Sequence, residues 1–183
     1  MRAPALKYPR FGEFVMPSIN PENPVLYLDF DGVLHPDAVY NNQGRFELRA
    51  AGHELFEAAP LLEQLLAPYP AIQLVLSTSW VRILGLEAAR AQLPNGLAAR
   101  VVGSTWHPAF HQFEWLHMPR HEQIARHLAS HNIRHWVAVD DDYQEWPDSM
   151  ASRLVRVSSE LGLQDETAQV ALSEALARFR LKR

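Results

Sequence analysis

Cysteine is absent from the 183-residue chain. That one absence excludes disulfides, thiol catalysis and cysteine-ligated zinc together. Long apolar runs are missing too. No stretch is long enough to span a bilayer, and the N-terminus lacks the apolar core of a signal peptide, so the expected setting is a reducing cytoplasm with no membrane contact. Nor is there an excess of positive charge: 17 Lys and Arg stand against 21 Asp and Glu, a net charge of -4. No global field draws such a chain to nucleic acid, although a local basic groove stays open. There is no internal repeat and no low-complexity tract.

What is present fits a globular protein. A hydrophobic content of 48% suffices for a sizeable core, and the length suits one domain. Residues 1–24 are proline-rich and without sustained periodicity, which predicts an extended arm preceding a single catalytic domain over 25–183. Val25–Leu28 reads as a strand buried on both faces, and Ile72–Leu76, Arg100–Gly103, Trp136–Val139 and Leu154–Val157 read as four more. His35–Gln43 is polar and turn-rich, and is read as a loop. Helices are expected from about Leu55 to before Pro68, from Trp80 to Leu93, from Pro119 to about Ser130, and from Asp165 to Phe179. Strands alternating with helices imply a parallel, Rossmann-like α/β/α sandwich of three layers.

The chemistry concentrates where strands end. Leu28-Asp29-Phe30-Asp31-Gly32 follows the first strand, and side-chain alternation lets Asp29 and Asp31 point one way while Phe30 enters the core. A turn or cap that happens to hold two aspartates is the plainer reading of DxDG alone. Two further strand ends weigh against it: Ser77-Thr78 after the second and Asp140-Asp141-Asp142 after the fourth. In a parallel sheet these ends share one edge, where ligand crevices lie. So many converging carboxylates call for a hard divalent cation held by oxygens, magnesium above all. Hydroxyls and N–H groups at the second strand end suit phosphate oxygens.

From Val25 to Val157 the chain resembles the haloacid dehalogenase-like (HAD) phosphohydrolase superfamily, through LDFDGVL, LVLSTSW and VAVDDD in that order. The set is also similar to a small branch of that superfamily linked with RNA-repair proteins. The resemblance implies a phosphatase in which Asp29 is the nucleophile and Asp31 the general acid and base. It implies Mg2+ held by the Asp29 carboxylate, the Asp31 carbonyl and Asp141, with Asp140 as a ligand or a partner of one. Ser77 best matches the phosphate-binding hydroxyl, with Thr78 a close rival. A lysine is usual in the third motif; here the candidate is Arg120, a larger group that aims differently, and its plain reading is a surface arginine of a first helical turn. There is too little chain between motifs for a separate cap domain. An open site favours a phosphate on a macromolecule, nucleic acid or protein, although the His35–Arg49 stretch could form a small lid.

Other features have plainer readings beside the functional ones. Seven of the nine histidines lie between His107 and His135, and His127 and His131 share a helical face. A zinc site there lacks any thiolate partner, and a solvated face fits better. His35 is either a contact to phosphate or a hydrogen-bonding loop residue. Trp80, Trp106, Phe110, Phe113 and Trp115 form either a base-stacking platform or a seal on the core. Arg45, Arg49 and Arg82 are a candidate basic rim. Two rival functions are a non-catalytic HAD-like phosphate-sensing or interaction module and a receiver-like signalling domain. Both catalytic aspartates are present, which disfavours the first. The acidic pair and the hydroxyls follow the wrong strands for the second.

Overall fold

The computed structural model describes residues 18–43, 45–107, 115 and 117–180. In chain order the strands are β1 (Val25–Leu28), β2 (Val39–Asn42), β3 (Arg45–Leu48), β4 (Gln73–Leu76), β5 (Val101–Ser104), β6 (Trp136–Asp140) and β7 (Leu154–Arg156). Five of them form one parallel sheet in the order β5-β4-β1-β6-β7, with β1 at its centre. Every residue of β1 is fully buried, as expected of a strand covered on both faces.

Side-chain alternation divides the core into two layers. Leu26, Leu28, Leu74, Leu76, Val137 and Val139 face one side, against Leu62 and Leu66 of α1 (Ala59–Leu66) and Leu172 and Leu176 of the C-terminal helix Glu166–Ala177. Val25, Tyr27, Val75 and Ala138 face the other, against Ile124 of the helix Arg120–His131 and Trp146. The result is the three-layer α/β/α arrangement, without a cap domain among the described residues. The helices named below are α2 (Trp80–Leu84), α3 (Leu86–Arg90), α4 (Asn95–Ala98), α5 (Arg120–His131), α6 (Asp148–Ala151) and α7 (Glu166–Ala177).

Three segments depart from the expectation. The single helix expected over 80–93 is two, α2 and α3. Gly85 between them sits at φ 83, a conformation open to glycine that ends one helix and resets the next. Helix α1 begins at Ala59 rather than Leu55, because Phe56 takes a positive φ of 61 and Pro60 suits only the first turn. The polar stretch after β1 is an antiparallel hairpin of β2 and β3, pairing Val39 with Leu48 and Asn42 with Arg45. Its strands have four residues each, too short for an alternation pattern to stand out. Of the predicted N-terminal arm, residues 1–17 lie outside the described residues. Asn20 is hydrogen-bonded to Gln73 through both its N–H and its carbonyl, which ties the segment before β1 to the start of β4.

Leu28 is fully buried at the level where β1, β4 and β6 end together. Leu28→Ala is expected to cost about 2–5 kcal/mol by loss of burial and a residual cavity, read from the midpoint and slope of chemical denaturation.

Candidate active site

Strand register builds the site. Leu28 of β1 pairs with Leu76 of β4 and with Val139 of β6. The next residues on these three adjacent parallel strands, Asp29, Ser77 and Asp140, therefore emerge side by side at the carboxyl edge of the sheet. Phe30 turns into the core, as alternation requires, and stacks edge-on against Phe56 and Trp80. Arg120 reaches the same point from the first turn of α5.

Asp29 is 4% exposed. Its Oδ1 accepts the Phe30 N–H at 2.7 Å, its Oδ2 lies 2.6 Å from Arg120 Nη2, and the Thr78 hydroxyl also bonds to it. Arg120 Nη1 donates to the Ser77 carbonyl. Arg120 Nε lies 3.0 Å from Asp140 Oδ2 but off the line of a hydrogen bond, so the contact is electrostatic and both atoms keep an unfilled hydrogen-bonding position. Asp140 Oδ1 accepts the Asp142 N–H at 3.0 Å.

Burial dominates the titration of these acids. It pushes the Asp29 carboxyl up to about 6 against the opposing pull of Arg120, with Asp31 adding to the rise. Burial raises Asp140 well above the carboxylate range, and raises Asp141, helped by Asp29 and Asp37, to about 7. The same ring of acids holds the Arg120 proton more firmly than usual, despite the burial of the guanidinium.

Asp29, Asp140 and Asp141 each offer a carboxylate oxygen, all within 4.8 Å of one another. The donor set is oxygen only, Asp140 Oδ2 has an open position, and the raised carboxyls mark negative charge that Arg120 does not balance. These properties fit a hard divalent cation. Gly32 makes room for the arrangement. Its φ is 67, and a Cβ there would overlap the Asp141 carboxylate. The cleft beside the cluster has a volume of about 260 Å³ and is lined by Asp29, Asp31, Asp37, Ser79, Arg120, Asp141 and Asp142. A cavity of about 680 Å³ between β5 and α5 is mostly apolar and shares none of these residues.

The expected residues are distributed as follows. Asp29, Asp140, Asp141 and Arg120 meet, and Arg120, with a side chain 14% exposed, is not a surface residue. The Asp31 side chain turns away from the other acids to Trp80 and His35. Ser77 and Thr78 are buried, and it is Ser79 of that stretch that lines the cleft. Asp142 is exposed, and its carbonyl accepts the Trp146 indole N–H at 2.9 Å. Trp80 and Trp115 are buried and Trp106 packs on the core, as in the sealing reading; Phe110 and Phe113 lie outside the described residues. His127 is buried against the Tyr27 hydroxyl, with Nδ1 at 2.9 Å, and stacks on His131. Asp37 and Ser79 were not singled out from sequence. Only the hairpin and the turn after β4 bring them to the cleft.

A parallel α/β sheet with this acid cluster at its carboxyl edge defines a HAD-type domain, a fold associated with phosphohydrolase chemistry. Within that class, the family described as "HAD domain in Swiss Army Knife RNA repair proteins" matches residues 25–168, and the chain belongs to it. Comparison with curated proteins and with solved structures gives no match. No described helix is long and apolar enough to cross a membrane.

The raised carboxyls set a sign for pH dependence. Between about pH 4 and pH 7 the folded, cation-free site keeps protons that the unfolded chain has released, so these acids contribute less stability as pH rises. His127, pushed down to about 3 by burial and by His131, acts in the opposite sense, its contribution being lost as pH falls below about 6.5. The difference between samples with and without Mg2+ removes the His127 part. A cation displaces the carboxyl protons, so the rise in Tm on adding Mg2+ should be larger near pH 7.5 than near about pH 5.5. Asp141→Asn should abolish most of the rise in calorimetry at both pH values.

Proposed function

We propose that the protein is a magnesium-dependent phosphatase that forms an aspartyl-phosphate on Asp29 and acts on phosphorylated nucleic-acid ends. The observation that carries this reading is the meeting of Asp29, Asp140 and Asp141 with Arg120 at a cleft on the carboxyl edge of β1 and β6. Asp29, Asp140, Asp141 and the Asp31 main-chain carbonyl would hold Mg2+, which when bound neutralises charge on the acids and on phosphate. Arg120 is tethered by the Ser77 carbonyl and by two carboxylates, which aims its charge at the nucleophile and the phosphate beside it. The Ser77 hydroxyl, buried without a partner, and the Ser79 hydroxyl in the cleft wall are the donors for phosphate oxygens, with Thr78 held on Asp29.

In the first half-reaction an Asp29 oxygen bonds to phosphorus, the bond to the leaving oxygen breaks, and Asp31 supplies that oxygen's proton. In the second, water bonds to phosphorus, the bond to Asp29 breaks, and Asp31 takes the proton from water. The family's association with RNA repair supports a nucleic-acid end as substrate. So does an open cleft with no cap domain to enclose a small ester.

Turnover of an aryl phosphate, and of RNA and DNA carrying 3′- or 5′-phosphates, tests the reading. Activity should require Mg2+ and vanish in chelator. Asp29→Asn should leave no turnover in a folded protein, and Asp31→Asn should lose roughly two to four orders of magnitude. Arg120→Ala should lose on the order of a hundredfold, about 3 kcal/mol, and Arg120→Lys should keep part of the rate. Wild-type rates in Asp29→Asn or in chelator overturn the mechanism. Release of phosphate from the aryl ester but from no nucleic-acid end overturns the substrate class alone.

A further inference from the structure

Asp31 is held by groups that the reaction above leaves without a role. The Trp80 indole N–H lies 3.1 Å from Asp31 Oδ1 and 3.0 Å from Oδ2, and His35 Nε2 lies 3.2 Å from Oδ1. The Phe56 N–H donates to His35 Nδ1 at 3.2 Å, which makes Nδ1 the acceptor and leaves the proton on Nε2, facing Asp31. Trp80 and His35 are 1% and 2% exposed. Phe46 of the hairpin stacks on the Trp80 ring at 3.7 Å and 7°, and Phe56 meets both Trp80 and His35 edge-on. Phe56 keeps its positive φ in doing so. A strained backbone, a stacked hairpin and a fixed tautomer all serve two N–H groups aimed at one carboxylate.

We propose that Trp80 and His35 are positioning residues that hold Asp31 as a proton acceptor for hydrolysis of the aspartyl-phosphate. The clamp contains donors and no acceptor. A carboxylate accepts all its bonds, whereas a carboxylic acid turns one oxygen into a donor that meets the Trp80 N–H, which spans both oxygens. The clamp therefore favours the half-reaction in which Asp31 receives a proton from water, while the P–O bond to Asp29 breaks and its electron pair returns to the Asp29 carboxylate. This inference rests on the phosphatase reading and adds to it which step the residues around Asp31 serve.

The test uses p-nitrophenyl phosphate with Mg2+, since its phenolate leaves without a proton and formation of the phosphoenzyme then needs little help from Asp31. Rapid mixing reads the burst of phenolate, and acid quench reads the phosphoenzyme present at steady state. Trp80→Phe keeps a ring for Phe46 and removes only the N–H. It should keep kcat/KM within about threefold and lower kcat by about tenfold or more, with KM falling in parallel and phosphoenzyme accumulating. His35→Leu should act alike, and His35→Gln, which retains a donor, should recover part of kcat. If Trp80→Phe does not fold, the His35 pair decides. An active wild type whose variants keep wild-type kinetics overturns the clamp alone. So does an equal loss in kcat and kcat/KM without accumulated phosphoenzyme. A wild type with neither turnover nor phosphoenzyme removes the phosphatase reading and the clamp with it.

Discussion

Asp29 and Asp140 are buried side by side at the ends of neighbouring strands, with one arginine between them. Taking two carboxylates out of water next to each other is costly, and Coulomb repulsion in a poorly polarisable interior adds to the cost. Arg120 offsets part of it by touching both. The rest shows in carboxyls that keep their protons far above the usual carboxylate range. Much of the fold follows from meeting this constraint. Helix α5 must begin where its first residue reaches across two strands. Gly32 must lack a side chain so that Asp141 can lie over the turn. The sheet must be parallel, because only then do the three strand ends point the same way.

A second dependence runs from the hairpin to the site. The β2–β3 unit is the one described insertion between β1 and β4 with its own hydrogen-bond ladder, and it is tied to the body by Phe46 lying flat on Trp80. Trp80 opens α2, directly after the hydroxyls that close β4. A single ring thus joins the hairpin, the β4 turn and Asp31. Aromatic packing here does more than seal the top of the core. It gives Asp31 a direction that differs from that of Asp29, two residues away, so that two like acids hold different environments within one cleft.

Several parts of this arrangement were legible in the chain as written. Four apolar residues running into Asp29 predicted a central buried strand, and the matching runs before Ser77 and Asp140 predicted its neighbours. Parallel order then brought the three ends together without knowledge of any contact. The family resemblance rested on the same three stretches and agrees with the match over residues 25–168. The hairpin was not legible, because strands of four residues with polar members give no clear period. The break at Gly85 was missed because an isolated glycine in a helical pattern is often tolerated.

What the sequence determined is the set of groups at the sheet edge, since strand alternation and parallel register are local rules that act on neighbouring residues. What it left open is which of several equivalent groups faces what. Arg120 read equally as a surface arginine, and only the approach of α5 brings it onto Asp29 and Asp140. Ser77, Thr78 and Ser79 are alike in sequence, yet the turn buries two and exposes the third to the cleft. His35 and Trp80 read as a loop residue and a core residue, and they are both; their contact with Asp31 exists because segments 45 residues apart, at 35 and 80, close on one carboxylate. Such choices depend on contacts between distant segments, and no local rule of spacing encodes them.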